Sequence, residues 1–167
     1  GETAIATYQL DGNGDDISGN YNGTTTDIGY TGLKFQPDLV WTKQRSSPNR
    51  DHLLNDSVRG ANNILYPNLP NLQDIVTGSA YFNSFDSNGF TVGSSNYYNG
   101  SSLDYVAWSW KAGGDDVLNE EGSIDSQVSA NVDAGFSIVT YGGSTSGATV
   151  GHGLNSTPEV IIIKCTS

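Results

Sequence analysis

Short runs of alternating apolar and polar residues, cut by Gly- and Asn-rich turns, extend along the whole chain. Period-two patterning between those turns predicts strands near residues 4–10, 38–43, 80–85, 89–93, 104–110, 136–141 and 159–164. The run at 104–110 is the clearest. Tyr105, Ala107 and Ser109 alternate with Val106, Trp108 and Trp110, giving one large aromatic face, which suits the inner side of a sandwich. Asn88-Gly89 ahead of Phe90-Thr91-Val92 signals a tight turn between two strands. His52 to Leu54 reads as a short strand, residues 69–76 as a helical turn, and Asp56 and Arg59 as a pair across a turn.

One pattern occurs twice. Gly32-Leu33, Pro37-Asp38 and Leu39-Val40-Trp41-Thr42-Lys43 return as Gly153-Leu154, Pro158-Glu159 and Val160-Ile161-Ile162-Ile163-Lys164, offset by 121 residues throughout. Pro37 and Pro158 fix φ and steer the chain out of helix into the apolar run. The whole arrangement in register marks an internal duplication. Trp41 and Ile162 are therefore expected to be equivalent, and Ile162→Ala is expected to cost about 2–5 kcal/mol if buried. Gly135-Phe136 also echoes Gly89-Phe90.

These elements predict an all-β fold, an antiparallel β-sandwich of jelly-roll or concanavalin-like type, with an incomplete second copy of the unit. Residues 1–114 are expected to form the first unit. Residues 115–127, with Asp115-Asp116 and Glu120-Glu121-Gly122, form a linker by content, and 128–167 begin the second unit. The second copy has no counterpart of the run 103–111. The natural chain is thus expected to continue, unless the first unit or a partner supplies the missing strands. The absence of Met, even at position 1, likewise points to a piece of a longer or processed protein.

Composition narrows the function classes. The 167 residues carry a net charge of -11, which argues against nucleic acid, because phosphate binding needs a basic face. Five of the seven basic residues fall between Lys34 and Arg59, so one patch is locally less acidic. No run is long enough for membrane insertion. Cys165 is the only cysteine, so no disulfide closes within these residues. His52 and His152 lack the spacing of a zinc site.

Asp11, Asn13 and Asp15 place oxygens at alternate positions, as calcium loops do. The Glu expected at the twelfth loop position is missing, and a cluster of Asx turns is the plainer reading. Calcium at these three residues is the one candidate cofactor. No catalytic residue is assigned. The carboxylate pairs Asp15-Asp16, Asp115-Asp116 and Glu120-Glu121 lie in turns, where solvated acids are normal. Trp41 and Trp108 are expected in the core, and Tyr97, Tyr98 and Asn99, in a turn, are the candidates for surface binding.

Several motifs together resemble a known group. Gln36-Pro37-Asp38-Leu39-Val40-Trp41-Thr42-Lys43, Asp56-Ser57-Val58-Arg59-Gly60-Ala61, Asn88-Gly89-Phe90-Thr91-Val92-Gly93 and Ala107-Trp108-Ser109-Trp110-Lys111-Ala112 occur in that order. Residues 135–141 and 148–154 extend the match. The set resembles repeated modules of structural, tail-fibre-like proteins of marine and cyanobacterial bacteriophages. Residues 8–20 are similar to the opening of concanavalin- or laminin-G-like domains. The resemblance implies a non-enzymatic virion structural and adhesion module at the virion surface, in a tail fibre, tail tip or capsid decoration. It implies other virion proteins as partners, a homo-oligomer, and a host-surface glycan as a contact. The alternatives are a glycan depolymerase, for which Asp51, Asp56 and Asp104 are the carboxylates to place, and a secreted carbohydrate-binding adhesin.

Overall fold

The computed structural model describes residues 7–10, 33–46 and 50–167. Among them the regular structure is all β, with eleven strands and no helix. Four strands make the main sheet: β1 (Thr7–Leu10), β2 (Leu39–Gln44), β3 (His52–Asp56) and β8 (Tyr105–Trp110). Their order is β1-β8-β2-β3, antiparallel throughout. Two short pairs lie between β3 and β8 in sequence: β4 (Asn63–Ile64) with β5 (Asp74–Ile75), and β6 (Phe82–Asp86) with β7 (Gly89–Val92). A second sheet runs β11-β10-β9, from β9 (Val117–Asn119), β10 (Ser126–Asn131) and β11 (Phe136–Tyr141). The expected antiparallel, sandwich-type class is what the chain adopts.

Period-two burial sets the packing of the main sheet. Val40, Thr42 and Gln44 of β2 are buried, as are Tyr105, Ala107 and Ser109 of β8, while the residues between them are half-exposed. Val40, Leu53 and Ala107 face the second layer, where Phe82 and Phe90 of the β6–β7 hairpin pack with Ile64, Tyr66 and Tyr98. Phe82 stacks on Phe90 at 5.5 Å and meets Tyr98 edge-on at 6.1 Å.

The large aromatic face of β8 thus points away from the core, contrary to the sequence expectation. The hairpin already supplies the bulk. Ala107 and Ser109 let its rings approach the sheet, and an indole in either place would overfill the layer.

Polar clips fix the ends of the strands. Asp38, 2% exposed, accepts from Ser57 Oγ (3.1 Å) and from the Ala112 amide (2.8 Å), tying the entrance of β2 to residues beyond β3 and β8. Asp56 and Arg59 do pair, at 2.6 Å with both side chains 7% exposed, and Arg59 also donates to Gln73 Oε1. Asn55, wholly buried, donates to the carbonyls of Ala61 and Asn63 and accepts from Tyr98 Oη. Such complete pairing is what allows polar groups to sit in a core.

Residues 69–76 form no helical turn. Pro70 interrupts them, and Asp74–Ile75 pair with β4 instead. The expected linker, 115–127, contains β9, whose three residues pair with β10. The junction between the sheets lies earlier, at Gly113-Gly114. Gly113 N donates to Ser129 Oγ, which in turn donates to the Gly114 carbonyl. A Cβ on Gly113 would stand 2.4 Å from the Ala130 carbonyl oxygen, so only glycine fits there. Trp110 stacks on Phe136 at 6.2 Å across the same junction.

The expected strand at 159–164 is not formed. Ile161 and Ile163 are 71% and 73% exposed, whereas their sequence counterparts Val40 and Thr42 are 0% and 2% exposed. β2 owes its burial to β3 and β8 on either side and to the hairpin beneath it. Among the described residues nothing pairs with 159–164. Local contacts are the Lys164 ammonium on the Leu69 carbonyl and a long bond from Gln73 N to the Thr166 carbonyl.

Candidate functional site

The outer face of the main sheet gathers the chemistry. Register places Trp41 opposite Trp108 on one side and Leu54 on the other. The next row on that face sets Val106, Lys43 and His52 side by side. Trp41, Trp108, Lys43 and His52 are all half-exposed. The two indoles meet nearly at right angles, 5.9 Å between ring centres and 71° between planes. The contact is edge to face, so the rings form a corner instead of a flat shelf.

His52 closes the corner. Its ring lies edge-on to Trp41 at 5.6 Å, and its Nδ1 accepts the Trp41 indole N–H at 2.9 Å. An accepting Nδ1 requires the neutral imidazole with its proton on Nε2. Partial burial lowers the His52 pKa below its ordinary value, the Lys43 charge lowers it further, and Asp51 opposes both. Asn68 Oδ1 holds the His52 backbone N–H at 3.0 Å, while the Asn68 amide donates to Asp51 at 2.8 Å. The Lys43 ammonium donates to the Arg50 carbonyl. His52, Asn68 and Asp51 are thus linked in a chain of hydrogen bonds that starts at the Trp41 indole.

The sequence candidates fare differently. Tyr98 is a core residue, 1% exposed, with its hydroxyl on Asn55, so it is no surface contact; the turn that carries it folds inward because its ring completes the aromatic layer. Burial raises its pKa strongly. Tyr97 packs against the same core at half-exposure, with the Arg50 guanidinium 4.8 Å above its ring. Asn99 is half-buried, with its backbone N–H donating to the Ser95 carbonyl. Asp11, Asn13 and Asp15 lie outside the described residues. Among the described residues no group of three His, Cys, Asp or Glu side chains is placed to hold a metal.

Of the carboxylates considered for catalysis, Asp56 is taken by Arg59, Asp51 accepts from Asn68, and Asp104 is exposed. A shallow hollow of about 370 Å³ runs along the second sheet, lined by Leu118, Asp125, Gln127 and Tyr141 among others; Asp125 is its one carboxylate. The outer aromatic corner was missed because period two separates two faces without saying which is inside. The usable signal was the small pair Ala107 and Ser109 on the opposite face.

No curated protein and no solved structure matches the chain. A family described as "Domain of unknown function (DUF7483)" matches residues 17–167, nearly the full length, and the chain belongs to that family.

Proposed function

We propose that the chain is a non-enzymatic structural and adhesion module of a phage particle, part of a tail fibre, tail tip or capsid decoration, and works within an oligomer. The observation that carries the structural half is the run Val160–Ile163, whose four consecutive β-branched apolar side chains are 64–78% exposed. Single exposed apolar residues are ordinary; a run of this strength that pairs with no described strand is a template for pairing with further strands. Its counterpart β2 has strands on both sides, and in the assembled state neighbouring protein strands flank 159–164 in the same way. The antiparallel sheets supply a stiff support, and the aromatic corner on the outer face supplies the surface for contact.

The test is location and assembly. Gold-labelled antibody against this chain should decorate the surface of purified particles. Light scattering should show the purified chain as an oligomer, broken to monomer by Ile161→Lys/Ile163→Lys. Label confined to the cell, or cleavage of a host polysaccharide that is lost on mutating a carboxylate pair, overturns the proposal.

A further inference from the structure

Within the adhesion half of that reading, we infer that the corner formed by Trp41 and Trp108, with His52 at its edge, is a binding site for one hexopyranose ring of a neutral glycan. A pyranose is amphipathic: its axial C–H bonds make an apolar face and its hydroxyls form a polar edge. Aromatic faces match the first, and planar donors and acceptors the second. The corner offers both. The two indoles stand edge to face at 71°, a corner that takes a single ring and does not fit the flat face of an extended polymer sheet.

The fate of the indole N–H argues in the same direction. The Trp41 N–H is committed to His52 Nδ1. The ring is thereby locked in place and left to present its π face to a ligand. The same bond directs the His52 proton to Nε2, on the other side of the imidazole, as a donor to a hydroxyl. Asn68 accepts from the His52 backbone N–H and donates to Asp51, so the polar side chains at this end of β3 are already oriented by their own bonds. Preorganised polar groups of this kind lose little entropy on binding.

A protein partner fits less well. Burying this face under an apolar surface would strip water from the Lys43 ammonium, the Asp51 carboxylate and the imidazole N–H without replacing their bonds. Hydroxyls replace them one for one. An anionic sugar gains little from Lys43, which already donates to the Arg50 carbonyl.

The test titrates the full chain with maltohexaose, cellohexaose, chitohexaose and mannohexaose, followed by tryptophan fluorescence and calorimetry. At least one should bind saturably with Kd about 1 mM or tighter. Trp108→Ala should weaken that binding by about tenfold or more, and Tyr141→Ala on the second sheet should leave it unchanged. Trp108→Phe keeps an aromatic face and covers the case in which the alanine variant fails to fold; it should bind with intermediate affinity. The assignment falls if no probe binds at about 10 mM, a range where even weak specific sites fill. It falls equally if binding is indifferent to both Trp108 variants, or if the same face instead buries itself in a Trp108-dependent dimer. If the glycan assignment fails while particles lacking the chain lose adsorption, the adhesion reading stands without it; if such particles adsorb normally, the adhesion reading itself is wrong.

Discussion

Tyr98→Phe separates the core position of this residue from a surface role most sharply. The substitution removes one oxygen and leaves the ring in place against Phe82. What is lost is the 2.8 Å bond to Asn55 Oδ1. Asn55 is wholly buried and its amide nitrogen is already committed to two carbonyls, so it cannot turn to find another partner. Orphaning a buried acceptor costs about 1–3 kcal/mol, and the small void left by the oxygen adds little, so a loss of about 2 kcal/mol is expected. In urea the midpoint should fall with the slope unchanged, because the surface exposed on unfolding is the same. A double-mutant cycle with Asn55→Ala should return a coupling of about 1–2 kcal/mol.

Alkaline pH gives an independent check on the same group. Burial raises the folded pKa of Tyr98, whereas the unfolded chain titrates near 10. The contribution of Tyr98 is then fully present below about pH 10 and is lost as pH rises toward the folded pKa, since the unfolded form releases its proton first. Tyr66 and Tyr105 are shifted in the same direction, chiefly by burial, and remain in the variant. Tyr98→Phe should therefore lose less stability than the parent above pH 10 while starting from a lower value at neutral pH. A change within about 0.5 kcal/mol at pH 7, the range of ordinary surface substitutions, would refute the buried bond and return Tyr98 to the surface.

Three further outcomes follow from burial and pairing. Gln44 is 1% exposed and neither atom of its amide has a hydrogen-bond partner among the described residues, so Gln44→Met should be neutral or stabilising by up to about 2 kcal/mol in urea unfolding; a loss above about 1 kcal/mol would reveal a partner for the amide. Ile162, 64% exposed, should tolerate alanine within about 0.5 kcal/mol in the isolated chain, not the 2–5 kcal/mol that a buried strand would lose, as thermal melting can establish. The lowered pKa of His52, with Lys43 and Asp51 as the charges facing it, means its neutral form is favoured on folding. Its contribution is whole above pH 6.5 and falls as pH drops from there through the folded pKa, because protonation removes the acceptor for the Trp41 N–H; tryptophan emission should change over that range in the parent and not in His52→Gln.

The fold class was legible because alternation survives in the strands that matter, from Leu39 to Gln44 and from Tyr105 to Trp110. The inner face was not, because it is set by what lies beneath. Two phenylalanines on a separate hairpin made small residues the better inner choice. β10 escaped notice for a related reason. Ser126-Gln127-Val128-Ser129 carries little apolar signal, yet Ser126 and Ser129 are buried, their hydroxyls taken by the carbonyls of Gly151 and Gly114. Burial there is achieved by close backbone approach, which no hydropathy pattern records. Tyr98 looked like a surface residue because it stands among Ser, Asn and Gly; a buried asparagine 43 positions earlier decided otherwise.

The repeated motif makes the point most directly. Pro37 and Pro158 introduce β-prone runs that agree position by position, yet one run is a central strand and the other has no strand pairing among the described residues. The difference cannot lie in the propensity of the runs, since Val160-Ile161-Ile162-Ile163 is the stronger β-former of the two. It lies in the neighbours. β2 is gripped along both edges by β3 and β8, covered by the hairpin, and pinned at its entrance by the carboxylate of Asp38 on Ser57 and Ala112. Glu159, in the place of Asp38, is exposed. A strand gains its stability from cross-strand pairs and covered faces, so the same run without them leaves its backbone and side chains to water. The same kind of β-prone run is therefore a buried central strand where β3, β8 and the hairpin cover it, and an exposed, irregular segment where no described residue does.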